Sequence, residues 1–342
     1  MNELSRARPG TTRRRRLGAT AVAAVAMMLL TGCSLLNGSN STSTPSAGNS
    51  KVEKPTVTIG ILTSPDVAPL KLAQLEGLFK AQGLNPVVKV FASGPAMYPD
   101  LVNGSLDIAQ GNYVNYFQAV AAGTLDAKVI ADAYSGTPTS FVLLTPPNSP
   151  IKTPADLAGK TIATQAPGNI VELLLRSLLA SNNVDPNSPH YVPIHFPDMP
   201  NALKTGTVDA AVDFEPFITE AERDFGAKEP FPLITNATNG MPLSGYFATS
   251  KFINANPKTI AAFQRAMVQA SAKAASRSEL GKVLPALTGV SPSLVPMLNI
   301  GAYPTSLDPT RLQRVITLMK TYGGLTTNLD AKTLIVPLPP NS

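Results

Sequence analysis

The side chains that could carry covalent chemistry are few in this chain. It contains one cysteine, Cys33, and two histidines, His190 and His195. Cys33 directly follows an apolar run, which suits lipid attachment rather than nucleophilic catalysis. The two histidines are five residues apart across a predicted strand, so their rings point to opposite faces and make no metal site. We therefore expect no catalysis, no bound metal and no cofactor.

Residues 1–32 have the organisation of a lipoprotein signal peptide. Four consecutive arginines, 13–16, precede the apolar run 17–30, and the small residues Thr31 and Gly32 precede Cys33. The run is too short for a stable transmembrane span. We expect the mature chain to be exported, by the general or the twin-arginine route. Acyl chains on Cys33 would then hold it at the outer face of the cell membrane.

The positive charge of the chain lies mainly in that segment. Residues 1–32 carry six arginines against Glu3, which is +5 of the whole-chain net charge of +6. The mature chain is therefore near neutral, and no nucleic-acid partner is predicted. Residues 33–54 should form a flexible tether, because 37–50 are mostly Ser, Thr, Gly and Asn. No cysteine follows Cys33, so the folded part has no intrachain disulfide.

The rest of the chain alternates between strand and helix signals. A β-branched run at 56–62 ends in turn residues at 63–66, and apolar residues then recur at helical spacing as far as Gly83. This alternation predicts βαβ units and an α/β fold with largely parallel sheets. Beyond Tyr246 the chain has helical periodicity. Further strands are predicted at 87–91, 106–110, 128–133, 141–144, 161–164, 191–195 and 208–213, with a helix at 171–180.

Two segments of the chain are related at an offset of 102 residues. A recurring Gly-x-x-Asp turn is one explanation, and a duplicated α/β unit explains more because loops and strands keep their order. Two such units predict a cleft at the carboxyl ends of their strands, where loops 63–66, 93–95 and 111–113 face loops 165–168, 195–197 and 213–215. The identities pair Pro95, Met97, Leu101, Gly104, Asp107 and Ala109 with Pro197, Met199, Leu203, Gly206, Asp209 and Ala211.

The chain contains the motifs Glu76-Gly77-Leu78-Phe79, Ser93-Gly94-Pro95, Asn103-Gly104-Ser105-Leu106-Asp107, Thr153-Pro154-Ala155-Asp156-Leu157, Gly206-Thr207-Val208-Asp209 and Glu215-Pro216-Phe217. In these motifs it resembles solute-binding lipoproteins of ABC importers, of the group that serves nitrate, aliphatic sulfonates, taurine and thiamine-precursor pyrimidines. The resemblance runs from about Val57 to Ala275. It implies a type II periplasmic-binding-protein fold, with a first lobe at 55–144 and 245–342, a second lobe at 148–241, and hinge crossovers at 144–147 and 241–244.

The resemblance also implies partners for the chain: a small-molecule ligand and an ABC permease, with the protein expected to be a monomer. Two other functions remain open at this point. The chain could present a ligand to a sensor, or it could be an enzyme on the same fold. Relatives of the second kind use cysteine or histidine in the cleft, and here the one cysteine is assigned to lipid.

Side chains of the cleft loops indicate the kind of ligand. No arginine occurs between Arg16 and Arg176, so a bidentate guanidinium clamp is not predicted. The chain has no tryptophan, which disfavours an aromatic cage for choline-like cations, although tyrosines could form a weaker one. The predicted ligand-binding residues are Thr63, Ser64, Asp66, Ser93, Gly94, Gly111, Asn112, Tyr113, Tyr134, Gln165, Gly168, Asn169, Asp213, Glu215 and Tyr246.

These loops combine acids with neutral donors and acceptors, which suits a small neutral or zwitterionic solute. A sulfonate or taurine-like compound fits, as does an aminopyrimidine or other nitrogen heterocycle. Three residues keep a second interpretation: Asp66 as a turn residue, Glu215 as a helix cap, and His195 as the cap of a strand. Asp107 and Asp209, which precede strands, are interpreted as structural acids.

Overall fold

Two mixed β-sheets organise the computed structural model, which describes residues 51–235, 238–322 and 324–340. The predicted signal peptide and Cys33 lie outside the described residues. The first sheet has the strand order β2-β1-β3-β9-β4 and the second β5-β8-β6-β7. The strands are β1 Thr56–Ile61, β2 Asn85–Val90, β3 Ile108–Asn112, β4 Ala127–Ser135, β5 Val142–Leu144, β6 Thr161–Thr164, β7 His190–Pro193, β8 Ala210–Asp213 and β9 Pro242–Thr249.

Helices connect the parallel strands, and most of those after β9 pack around the first sheet. Within the described residues, no helix combines the length and apolar character needed to cross a membrane. The helices are α1 Ala68–Leu75, α2 Leu78–Ala81, α3 Tyr98–Asn103, α4 Tyr113–Ala121, α5 Ile170–Ser181, α6 Met199–Lys204, α7 Phe217–Phe225, α8 Ser250–Ala255, α9 Pro257–Ala274, α10 Arg277–Gly281, α11 Leu284–Thr288 and α12 Pro309–Thr321.

The two sheets repeat one arrangement, as the internal similarity predicts. β1 lies between parallel neighbours β2 and β3, and β6 lies in the same way between β7 and β8. Asp107 accepts a hydrogen bond from Thr58 N–H at 2.9 Å, and Asp209 accepts one from Thr161 N–H at 2.8 Å. Both acids therefore fix the start of a central strand, which is the structural role that the sequence indicates.

The sequence did not indicate strand β9. It is antiparallel to both β3 and β4 and makes the first sheet mixed rather than parallel. Its sequence begins with proline and contains Ser244 and Gly245, which weaken a strand signal. Its pairing is therefore set by its two neighbours in the sheet.

The first crossover between the sheets lies earlier than predicted. Val142–Leu144, assigned from the sequence to the first lobe, pairs with β8 in the second sheet. The chain therefore leaves the first sheet after Ser135. The predicted second hinge, 241–244, lies largely within β9, so this crossover also precedes its predicted position.

The two crossovers contact each other and helix α12. Gly136 N–H donates to Met241 O and Gly240 N–H donates to Gly136 O, both at 2.9 Å. Arg311 of α12 hydrogen-bonds to Ser135 Oγ and, at 3.3 Å, to Gly240 O. One guanidinium group thus joins the chain that leaves the first sheet to the chain that returns to it.

The core follows the two-fold periodicity of the strands. In the second sheet, Ile162 and Val212 pack into a large cluster shared with the first sheet, while Ala163 and Ala211 face a smaller cluster with α6 and α7. The face of α9 that includes Phe263 and Met267 is buried, and so is the face of α12 that includes Leu312 and Val315. The described residues belong to one compact unit, Asn49–Ser342.

Candidate ligand-binding site

A cavity of about 350 Å³ lies at the carboxyl ends of strands from both sheets. This is the edge at which open α/β sheets bind ligands, because the strand-to-helix loops gather there. Every predicted pair of facing loops has at least one member on the cavity. Its lining residues are Leu62, Thr63, Ser64, Asp66, Phe91, Ala92, Gln110, Asn112, Tyr134, Phe141, Gln165, Ile170, His195, Phe196, Pro197, Phe214 and Phe217.

The first sheet supplies most of the polar lining. Thr63, Ser64 and Asp66 follow β1, and Gln110 and Asn112 end β3. β1 and β3 are adjacent parallel strands, so their carboxyl ends bring these side chains to one wall. This polar wall can supply hydrogen bonds to a ligand.

The second sheet supplies a continuous aromatic lining. The ring of Phe214 lies 4.6 Å from that of Phe196, 5.6 Å from that of Phe141 and 5.6 Å from that of Phe217, measured between centroids. Two of these contacts, of Phe214 with Phe196 and of Phe214 with Phe141, join segments next to different strands of the second sheet, so the cluster depends on the assembled sheet. We call Phe141, Phe196, Phe214 and Phe217 the phenyl wall. It can bury the apolar body of a solute.

Asp66 is the acidic residue of the cavity lining. Its Oδ2 accepts a hydrogen bond of 2.5 Å from Ser244 Oγ of β9. Burial raises the pKa of the Asp66 carboxyl, and the hydrogen bond from Ser244 offsets part of that rise. No lysine or arginine lines the cavity in the part of the chain that the structure describes.

Gln110, Asn112 and Gln165 are held in the lining through their side-chain oxygens. Gln110 Oε1 accepts from Leu62 N–H at 3.1 Å, and Asn112 Oδ1 accepts from Asn115 N–H at 2.9 Å to cap α4. Gln165 Oε1 accepts from Asn169 Nδ2 at 3.4 Å. Gln110 ties β3 to β1 by this bond, so its position follows from the sheet itself.

Asp213 and Glu215 lie behind the cavity, and neither lines it. Asp213 is fully buried, and burial raises its carboxyl pKa well above the usual value. Glu215 accepts from the N–H and hydroxyl of Thr219 and, at 2.8 Å, from Asn299 N–H. Burial also raises the pKa of Glu215, against these three hydrogen bonds. Glu215 thus holds α7 and the loop at Asn299 in place, which fits its interpretation as a cap.

Two of the three predicted tyrosines belong to the core. Tyr113 donates to Asp132 Oδ1 at 2.8 Å, and Tyr246 packs edge-on against Phe263 with centroids 5.5 Å apart. Burial raises the pKa of both hydroxyls. Tyr134 does line the cavity, and its hydroxyl accepts from Gly301 N–H at 2.5 Å. The predicted tyrosine box is therefore not formed.

The other predicted residues lie near the cavity without lining it. A Cβ atom on Gly94 would lie 3.8 Å from the Cα of Gly111, which is an ordinary contact distance, so the segments that carry these glycines are neighbours. Gly168 has a φ of +64°, and its N–H donates to Glu172 Oε2 at 2.7 Å. Asn169 caps α5 through Glu172 N–H. Ser93 is likewise absent from the lining.

Sequence reasoning missed most of the apolar lining. The lining residues that were not among the predicted ligand-binding residues are the polar Gln110 and His195 and the apolar Leu62, Phe91, Ala92, Phe141, Ile170, Phe196, Pro197, Phe214 and Phe217. The available signal was position, because nearly all of them lie within a few residues of the end of a strand. The prediction selected mainly polar side chains from those loops and therefore left out the apolar ones.

The titratable side chains of the cavity lining are Asp66, Tyr134 and His195. Among the described residues, no group of three or more His, Cys, Asp or Glu side chains is placed to hold a metal ion. The chemistry that the lining supports is non-covalent binding, with hydrogen bonds on one side and phenyl rings on the other.

Comparisons with known proteins agree with this architecture. The family profile described as "NMT1/THI5 like" matches residues 64–279. A protein of Escherichia coli (strain K12) whose name describes aliphatic sulfonate binding is 33% identical over 135 residues, which span 38% of this chain and 40% of that protein. The matched stretch therefore covers less than half of that relative.

Solved structures share the fold over nearly their whole length. The alkanesulfonate-binding protein SsuA from Xanthomonas axonopodis pv. citri, bound to MOPS, has a TM-score of 0.69 and 21% identity, covering 83% of this chain and 99% of that one. The nitrate-binding protein NrtA from Synechocystis PCC 6803 has a TM-score of 0.66 and 16% identity, covering 83% and 85%. Both of these structures are named as binding proteins.

Proposed function

Because the chain belongs to the NMT1/THI5-like family of solute-binding proteins of ABC import systems, we propose that it captures a small organic solute in the cavity between its two sheets and delivers it to a membrane permease. The observation that carries this proposal is the origin of the lining. Loops from the carboxyl ends of strands in both sheets meet around one cavity of about 350 Å³.

Capture by closure follows from this arrangement. A solute that contacts the polar wall of the first sheet and the phenyl wall of the second stabilises the state in which the walls are close together. The paired crossovers at Gly136 and Gly240 are the connections about which the lobes would move. A permease that recognises only the closed state would then receive the loaded protein.

The ligand class is proposed from the lining. A sulfonate or taurine-like solute is supported by the name of the Escherichia coli relative. A nitrogen heterocycle is supported by the phenyl wall, on which a planar ring can stack. Neither receives a lysine or arginine from the lining, so any anionic group would rest on neutral donors.

We also propose that the protein acts at the outer face of the cell membrane. The support is the sequence alone: an apolar run that ends at Cys33 and a polar segment that follows it. A tether of about 20 residues lets the folded unit reach a permease in the same membrane.

A thermal-shift screen of Asn49–Ser342 tests the proposed function. The protein is unfolded and refolded to remove carried-over ligand, then exposed to taurine, alkanesulfonates, nitrate, aminopyrimidines, betaines and common metabolites. A solute that binds only the folded state raises the melting temperature. Phe214→Ala should reduce the shift, whereas Leu75→Ala, at an exposed position of α1, should keep it. A shift that Phe214→Ala leaves unchanged would place the binding site elsewhere.

A further inference from the structure

Three carboxamide side chains of the cavity lining share one feature. Gln110, Asn112 and Gln165 each use their oxygen within the protein, as acceptors from Leu62 N–H, Asn115 N–H and Asn169 Nδ2. For Gln110 and Asn112 the partner is a backbone N–H group, which can only donate. The oxygen therefore must be the atom that meets it, and the orientation of each amide is fixed.

The NH2 groups of these side chains remain for other partners. No residue of the described ranges accepts a hydrogen bond from Gln110 Nε2, Asn112 Nδ2 or Gln165 Nε2. The side-chain polar atoms that are sealed from solvent without a partner lie on Ser64, Tyr98, Asp213 and Tyr246. The three NH2 groups are not among them, so they retain access to open space, and all three residues line the cavity.

The three NH2 groups determine which chemical group of a ligand can take the place of water in the cavity. A buried donor left without an acceptor costs free energy, so a ligand that fills the cavity must satisfy these NH2 groups or bind weakly. An ammonium group offers only donors and cannot do so. A carbonyl or sulfonate oxygen accepts from several donors at once.

Resting on the proposed function, we propose that Gln110, Asn112 and Gln165 are the specificity-determining donors of the site, and that its ligand carries an oxygen acceptor, of carbonyl or sulfonate type, on an apolar body. The apolar body lies on the phenyl wall. The oxygen acceptor takes hydrogen bonds from the polar wall and from Gln165 of the second sheet. Since the donors belong to both sheets, the head group also links the walls that close.

Asn112→Asp is the sharpest perturbation of this arrangement. Aspartate keeps an oxygen for Asn115 N–H and remains a good helix cap, so α4 should form as before. The same change replaces a donor by a charged acceptor. Gln165→Glu is the equivalent change in the second sheet. Asn103→Asp is the matched control, because Asn103 Oδ1 accepts from Ser105 N–H at an exposed turn and the residue does not line the cavity.

The probes share one phenyl ring: acetophenone offers a carbonyl, benzenesulfonate an anionic sulfonate, and benzylamine an ammonium group. Their dissociation constants for Asn49–Ser342 are measured by calorimetry, with the melting temperature of each variant as a check on folding. We expect at least one acceptor probe to have a dissociation constant about tenfold or more below that of benzylamine. Asn112→Asp should weaken that binding about tenfold or more, while Asn103→Asp leaves it unchanged.

If acetophenone binds more tightly than benzenesulfonate, the preferred head group is an uncharged carbonyl; if benzenesulfonate binds more tightly, it is an anionic sulfonate. Both results support the inference. Benzylamine binding as tightly as both acceptor probes would overturn it. Unchanged acceptor affinity in both Asn112→Asp and Gln165→Glu would also overturn it. If no phenyl probe binds while another solute in the screen does, the inference fails and the proposed function stands. If no solute binds at all, both fail.

Discussion

Asp132→Asn removes a buried carboxyl whose protonation should control the stability of the first sheet. Asp132 lies in β4, where Oδ1 accepts from the Tyr113 hydroxyl at 2.8 Å and Oδ2 lies 3.4 Å from Arg311 Nη1. Its side chain is almost fully buried. Desolvation raises the pKa from 3.8 to about 7, against the opposing effects of Arg311 and the Tyr113 hydroxyl.

The sign of the pH dependence follows from this shift. The unfolded carboxyl loses its proton near pH 3.8 and the folded one near pH 7, so the folded state binds more protons between these values. Asp132 therefore contributes most to stability below about pH 4, and this contribution is lost as the pH rises to 7. A difference of about three pH units corresponds to about 4 kcal/mol, of which about 3 kcal/mol falls between pH 5 and pH 8.

Urea unfolding of Asn49–Ser342 and its Asp132→Asn variant, followed by circular dichroism between pH 5 and pH 8, measures this term. Other carboxyls with raised pKa values, such as Asp66 and Asp213, titrate in both proteins and cancel in the comparison. We expect the stability of the unmodified protein relative to the variant to fall by about 3 kcal/mol over this range. A constant difference, or one that grows with pH, would refute the reasoning, since it would mean that the ion pair with Arg311 outweighs desolvation.

Three further predictions concern packing, binding and anchoring. Gly245→Ala should destabilise the protein by about 3 kcal/mol in the same unfolding assay, because the new Cβ would lie 2.3 Å from Tyr113 Oη and 3.0 Å from Ala131 O. Its control, Gly281→Ala in α10, meets no atom within 4 Å and should raise stability by about 0.5 kcal/mol; equal effects would contradict the packing argument. Phe214→Ala should weaken the binding of any ring-bearing solute about tenfold or more, as measured by calorimetry, and unchanged affinity would exclude the phenyl wall from the site. Cys33→Ser should release the chain into the soluble fraction after detergent-free extraction, and unchanged membrane retention would contradict lipid anchoring.

Much of the fold could be predicted because its signals are local. The strand Thr161–Thr164 has its predicted bounds, and the internal similarity anticipated two equivalent sheets. The buried faces of α9 and α12 follow helical spacing. β9 was not predicted because its strand conformation depends on pairing with two strands that are distant in the sequence. The local pattern of residues 242–249 does not indicate this pairing.

The site was predicted at the level of loops but not of side chains. Asp213 and Asn112 both stand at the carboxyl end of a strand, yet Asp213 is fully buried and Asn112 lines the cavity. Whether a side chain points into a cavity or behind it depends on the packing of the next helix. Phe196 and Phe214 lie in predicted cleft loops but were not among the predicted ligand-binding residues, and both belong to the phenyl wall.

The measurement that tests the central claim most directly is a distance across the cavity in solution. Asn49–Ser342 contains no cysteine, so Ala96→Cys and Asp198→Cys, at exposed positions in equivalent turns of the two sheets, can be labelled specifically with a pair of fluorophores. Resonance energy transfer is then recorded while a solute that raises the melting temperature is added. Capture between the lobes predicts that the distance shortens and saturates at one solute per protein. A distance that stays constant while the solute binds would contradict capture by closure of this cavity.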